Sequence, residues 1–265
     1  MPLVLNACDV QAAVVGNHDL DFGRPAMAKL IGQCNFPWLM ANVRDKDTGE
    51  LFDGCARCAS DAARSQPHRQ RAPCTTSHGC SAYIRERQCV YRYHILEHQG
   101  LRIGVLGLVE YEWLATLATL NADDVQYIDF VEAGKRLCAE LREQGCQVII
   151  ALTHMRVPND LRLGAAVPDI DVILGGHDHH YEVTPCAPEA TLMFKSGTDF
   201  RDLSLIKMAI ADGHCSVRPH LLCTLRSRLH ALRTSTCCCA DVSVLFRFLD
   251  RGRGRIAFST AAASR

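Results

Sequence analysis

Three short stretches carry side chains that can do chemistry together. They are Gly16-Asn17-His18-Asp19, Thr153-His154 and Gly176-His177-Asp178-His179-His180. Imidazole nitrogen combined with amide and carboxylate oxygen suits a divalent cation such as zinc, manganese or iron. His177 and His179 stand two positions apart and point differently enough to serve two ions, so a binuclear centre is a reasonable chemical reading. Alone, the first stretch could be a tight turn closed by an Asx hydrogen bond. In combination with the histidine-rich third stretch, that plain reading loses most of its weight.

Each stretch follows a run of apolar, β-favouring residues: 12–15, 148–153 and 172–175. Continuous apolar strands bounded by turns indicate a sheet covered on both faces, with functional side chains gathered at the carboxyl ends of its strands. Residues 24–34, 111–120 and 129–144 have helical spacing. In the last of these Phe130, Ala133, Leu137 and Leu141 share a face, Asp129 suits an N-cap and Gly145 a stop. Further strands are expected at 36–41, 91–98, 101–108, 191–195 and 203–210, with Gln99-Gly100 as a hairpin turn. Strands interleaved with helices define an α/β domain.

The chain has 265 residues, enough for one sizeable domain, and is 48% hydrophobic. Its net charge of zero hides a segregation. Segment 53–90 carries six Arg and five Cys, and segment 213–265 carries nine Arg and five Cys, with no lysine in either. The remainder is acidic, with 24 acidic against 14 basic residues. The domain therefore spans 1–212, with 53–90 expected to be a disordered surface insertion and 213–265 an unstructured tail in which 241–249 could form a short strand or helix. No window approaches the roughly eighteen apolar residues of a membrane span, and the first thirty residues lack a signal-peptide pattern. An odd total of fifteen cysteines argues against a complete disulfide framework and favours a reducing, cytoplasmic setting.

The order of these stretches, with Ala41-Asn42-Val43, 100–107, 171–180 and 195–203 around them, resembles the calcineurin-like metallophosphoesterases, and among them the 5′-nucleotidase branch. The resemblance covers 1–52 and 91–211. It implies a layered α/β/β/α sandwich and hydrolysis of phosphate monoesters. Nucleoside 5′-monophosphates are the leading small-molecule substrates and cyclic phosphodiesters come second. It further implies that Asn17, His154 and His177 ligate one metal ion and His179 a second, while His18 acts on the leaving oxygen and Asp19 holds the His18 ring.

The family pattern also has an Asp-x-His block and a Gly-Asp block ahead of the first stretch, and neither precedes Gly16. Those blocks carry the bridging aspartate and other ligands of the second metal. The fold is thus expected to be incomplete at its N-terminus and turnover impaired, leaving at the limit a non-catalytic remnant that binds one ion. The missing segment would include core strands, whose neighbours would then show open edges.

Two rival readings concern the Arg/Cys-rich regions. Cys55, Cys58, Cys74 and His78 have roughly the makings of a structural zinc site, but little apolar material accompanies them. The Arg-rich tail could attract a nucleic acid backbone, but it lacks interleaved aromatics, and nucleic acid is not the expected partner.

Overall fold

Every residue of the stretch 148–155 is buried, which requires cover on both faces of the strand. The computed structural model supplies it, describing residues 2–52, 90–98, 100–187, 191–198, 204–211, 214–218, 245–250 and 256–261. The chain begins with α1 (Pro2–Ala7), β1 (Ala12–Val14), a 3-10 turn (Asn17–Leu20), α2 (Gly23–Ile31), β2 (Trp38–Leu39) and β3 (Val43–Asp45). It continues through β4 (Val90–Tyr91), β5 (Tyr93–His98), β6 (Leu101–Val109), α3 (Tyr111–Leu114), β7 (Val125–Tyr127), α4 (Phe130–Glu143) and β8 (Val148–Met155). Next come α5 (Val157–Ala166), β9 (Val172–His177), β10 (Tyr181–Pro185), β11 (Leu192–Ser196) and β12 (Ser204–Ala211). The last described strands are β13 (His214–Arg218), β14 (Leu245–Asp250) and β15 (Ile256–Ala261).

Among the described residues these strands form two large sheets and one small pair. One large sheet has the order β10-β11-β9-β8-β6-β5, the other β13-β12-β15-β14-β1-β2-β4, and β3 pairs with β7. Within the first, β6, β8, β9 and β11 run parallel. Alternate residues of β8 serve different layers. Ile149 and Ala151 pack with Phe130, Leu137 and Leu141 of α4 and Leu163 of α5, whereas Val148, Ile150 and Leu152 pack with Ala12, Val14, Trp38 and Leu39 of the second sheet. Met27 and Ile31 of α2 join that second cluster. The layered α/β/β/α sandwich is thus the observed architecture.

Local chemistry sets the element ends. The Asp129 carboxylate caps α4 by accepting from the backbone N–H of Val131 at 2.9 Å, and Gly145, with φ +80°, stops it. β5 and β6 pair as the expected hairpin, His98 opposite Leu101 and Gly100 adopting φ +81°. The helix expected over 111–120 is only the four residues of α3. Beyond it the Thr116 hydroxyl donates to the Trp113 carbonyl at 3.0 Å, a local bond that competes with helix propagation. Helix α5 was not foreseen. It carries Pro158 in its first turn, where Pro sacrifices no hydrogen bond.

The expected insertion 53–90, including Cys55, Cys58, Cys74 and His78, lies outside the described residues except for Val90. Within 213–265, expected to be an unstructured tail with a short strand or helix allowed at 241–249, the described residues form β13, β14 and β15, β14 overlapping that stretch. Backbone pairing accounts for the difference. The edge of β1 that the sequence left open takes β14, antiparallel, with Ala12 opposite Phe246 and Ala13 opposite Leu245. β15 then joins β14 to β12.

At Gly107 in β6 the two sheets approach closely. A Cβ there would lie 2.7 Å from the carbonyl carbon of Leu39, and the Gly107 carbonyl accepts from Ala41 N at 2.8 Å. Because the obstacle is backbone, Gly107→Ala is expected to lower the unfolding free energy by about 2–3 kcal/mol in urea titrations. Gly49→Ala, at φ +68° with no atom within 4 Å of the new Cβ, should cost only about 1 kcal/mol of backbone strain.

Candidate metal centre

Asn17 follows β1, His154 lies one residue from the end of β8, and His177 closes β9. The three side chains converge. His154 Nε2 stands 2.6 Å from Asn17 Oδ1 and 3.1 Å from His177 Nδ1. The two rings meet edge to face with centroids 4.9 Å apart. Trp113 packs against the His154 ring at 5.7 Å, and its indole N–H donates to the His154 carbonyl at 2.9 Å.

The donor set fits a divalent cation. Two ring nitrogens 3.1 Å apart can both reach one ion at bonds of about 2.1 Å, and the amide oxygen stands within the same reach. Burial drives the His154 pKa well below its usual value, helped by His177, Lys195, His18 and His179 nearby. Burial also lowers that of His177, against the opposing pull of Glu110 and Asp178. Both rings are therefore neutral near pH 7 and present lone pairs. His154 Nδ1 is buried with no hydrogen-bond partner among the described residues. No group of three His, Cys, Asp or Glu side chains among those residues could hold an ion by itself, so the amide of Asn17 is needed to make up the set.

The other expected residues divide. His18 and His179 both lie close enough to His154 to influence its charge, His18 half-buried and His179 exposed. The carboxylate that meets the His18 ring, however, belongs to Asp21, with Oδ2 3.0 Å from Nδ1. Asp19 is buried and its Oδ2 accepts from Gly16 N at 2.8 Å, closing the turn that presents Asn17. In the 3-10 turn that starts at Asn17, residues three apart eclipse one another, so His18 faces Asp21. The spacing of three between His18 and Asp21 is the signal in the sequence.

Two further contributors were missed. Glu110, fully buried at the end of β6, accepts from Arg156 N at 2.8 Å and from Asn159 Nδ2 at 2.7 Å through Oε2. Its Oε1 lies 3.2 Å from Arg156 Nη1 and 3.7 Å from His177 Nε2, leaving His177 Nδ1 to face His154. The second is Lys195, whose ammonium lies 2.7 Å from the Asp160 carboxylate, both side chains fully buried. Burial, outweighing the attraction of Lys195, pushes the Asp160 carboxyl up to about 6. His177 itself has φ +75°, a left-handed conformation that costs a non-glycine residue about 1–3 kcal/mol and must be held by its surroundings.

No protein-family model matches the chain. The 5′-nucleotidase of Vibrio cholerae is 28% identical over 183 residues, a match covering 63% of this chain and 26% of that protein. The NAD nucleotidase of Haemophilus influenzae superposes with a TM-score of 0.60 at 19% identity, over 83% of this chain and 41% of that one. The calcineurin-like phosphoesterase YfkN of Bacillus subtilis superposes with a TM-score of 0.54 at 20% identity, over 81% and 63% of the two chains. The fold is that of the calcineurin-like phosphoesterases. In sequence the chain is similar to curated 5′-nucleotidases, and it spans about a quarter of the length of the curated relatives it matches.

The neutral histidines make stability depend on pH. Below about pH 6.5 the unfolded chain binds protons at His154 and His177 that the folded chain does not, so stability falls as pH drops through that range. The urea midpoint is expected to decline between pH 7 and pH 5, and His154→Gln should reduce the pH slope by about one proton.

Proposed function

We propose that this chain carries the Asn17, His154 and His177 half of a binuclear phosphoester-hydrolase site. The observation that carries this reading is the meeting of Asn17 Oδ1 and His177 Nδ1 at His154 Nε2, both within 3.1 Å. A divalent cation there, zinc, manganese or iron, would neutralise charge on phosphoryl oxygens. The chain's own groups do the rest. Asp21 fixes the His18 ring through Nδ1, leaving Nε2 to deliver a proton to the leaving oxygen. Asp19 secures the turn that carries Asn17 and His18.

The substrate class follows from the relatives, which bear names such as 5′-nucleotidase and 2′,3′-cyclic-nucleotide 2′-phosphodiesterase/3′-nucleotidase. Nucleoside 5′-monophosphates are the first choice and cyclic nucleotides the second. His179 is assigned to a second cation. Among the described residues His179 is the one side chain assigned to that second ion, and low turnover is the expected behaviour of these 265 residues by themselves.

The test uses the full chain. Mn²⁺ binding, followed by electron paramagnetic resonance, should saturate at one ion per chain, with turnover of AMP or a chromogenic phosphate ester close to background. Two bound ions with brisk turnover would overturn the impairment, and no bound ion would overturn the site. His177→Ala is expected to weaken Mn²⁺ binding more than about 100-fold. His18→Ala should leave binding within about threefold and remove whatever turnover is measured.

A further inference from the structure

Lys195 is a fully enclosed charge, and its contacts fall beside the candidate ligands. The side chain has no exposed surface. Its Nζ donates to the carbonyl of Met155 at 2.6 Å and to the carbonyl of Gly176 at 2.6 Å. It also lies 2.7 Å from Asp160 Oδ2 and 3.2 Å from Asp178 Oδ2. Met155 follows His154 in β8, while Gly176 and Asp178 flank His177 on both sides. One ammonium thus grips the neighbour of one imidazole and both neighbours of the other.

The surroundings are built for that grip. Lys195 lies opposite Gly175 in the parallel pairing of β11 with β9. A Cβ on Gly175 would lie 2.8 Å from Asp160 Oδ2 and 3.0 Å from Lys195 Nζ, so the bare backbone at this point is what leaves room for the pair. Asp160 is anchored in turn by the Thr153 hydroxyl at 2.6 Å, one residue before His154. Asp178 is anchored by Val157 N at 2.8 Å, in the first turn of α5. The left-handed backbone of His177, at φ +75°, lies between the two gripped residues.

We infer that Lys195 is a positioning residue of the centre, setting the separation of the His154 and His177 rings and holding His177 in its left-handed conformation. Its value to cation binding rests on the proposed function, in which those rings share an ion. Its effect on ring geometry stands apart from that reading. Hydrogen-bond donors around a metal site that act through the ligands typically change affinity 10–100-fold when removed.

The experiment compares the full chain with Lys195→Met and with the double variant Lys195→Met/Asp160→Leu, which leaves no lone carboxylate buried at position 160. Leu141→Ala, in the core between α4 and β6, serves as a control that loosens the fold away from the strand ends. Circular dichroism identifies the folded variants. Two readouts are taken: Mn²⁺ affinity, and the nuclear Overhauser contact between the two imidazoles in metal-free protein. The expected result is a 10–100-fold loss of Mn²⁺ affinity and loss of the inter-ring contact in whichever Lys195 variant folds, with Leu141→Ala unchanged in both. A folded Lys195 variant that keeps the wild-type inter-ring contact and affinity overturns the inference, as does an equal loss in Leu141→Ala. If the unaltered chain binds no Mn²⁺ yet loses its inter-ring contact on Lys195→Met, the proposed function fails and the positioning role stands.

Discussion

Strand β8 has no freedom to slide. Its residues alternate between the α4 and α5 layer and the second sheet, and all are buried. A shift of one position would send Ile149 and Ala151 to the wrong layer and swing His154 away from Asn17. The candidate centre therefore inherits its geometry from core packing on both sides of one strand. The parallel register that places His154 beside Gly176 and Met155 beside His177 extends the same constraint to β9.

Holding imidazoles in such a place carries a cost in buried polarity. Glu110, Asp160 and Lys195 are all fully enclosed, and each is tolerated because backbone groups or an opposite charge meet it. Loss of one partner would leave the other charge stranded, which makes such clusters more costly to disturb than apolar core. They nevertheless give something that packing alone does not, because directional bonds fix the backbone on either side of a ligand.

Much of this was readable from residue order. Apolar runs ending in glycine and histidine located β1, β8 and β9, and the side chains of Asn17, His154 and His177 meet in space. What stayed hidden depended on geometry that periodicity does not carry. Asp19 and Asp21 are equally acidic neighbours of His18, and only the pitch of a 3-10 turn decides that Asp21 meets the ring. Lys195 sits in a strand where a buried cation looks out of place, until Asp160 arrives from α5, a helix that was not among the expected elements. The pairing of β14 with β1 was hidden because the two strands lie far apart in the chain, Ala12 meeting Phe246, and periodicity carries no trace of such a partner.

That last pairing has a bearing on how the molecule is made. β14 closes an edge of β1 from far along the chain, Ala12 meeting Phe246, so during synthesis β1 waits, unpaired on that side, until β14 has left the ribosome. Closing so long a loop is entropically slow, and an open strand edge is a template for pairing with another chain. The turn that carries Asn17 and His18 grows directly out of β1 and is thus among the last parts of the centre to become fixed.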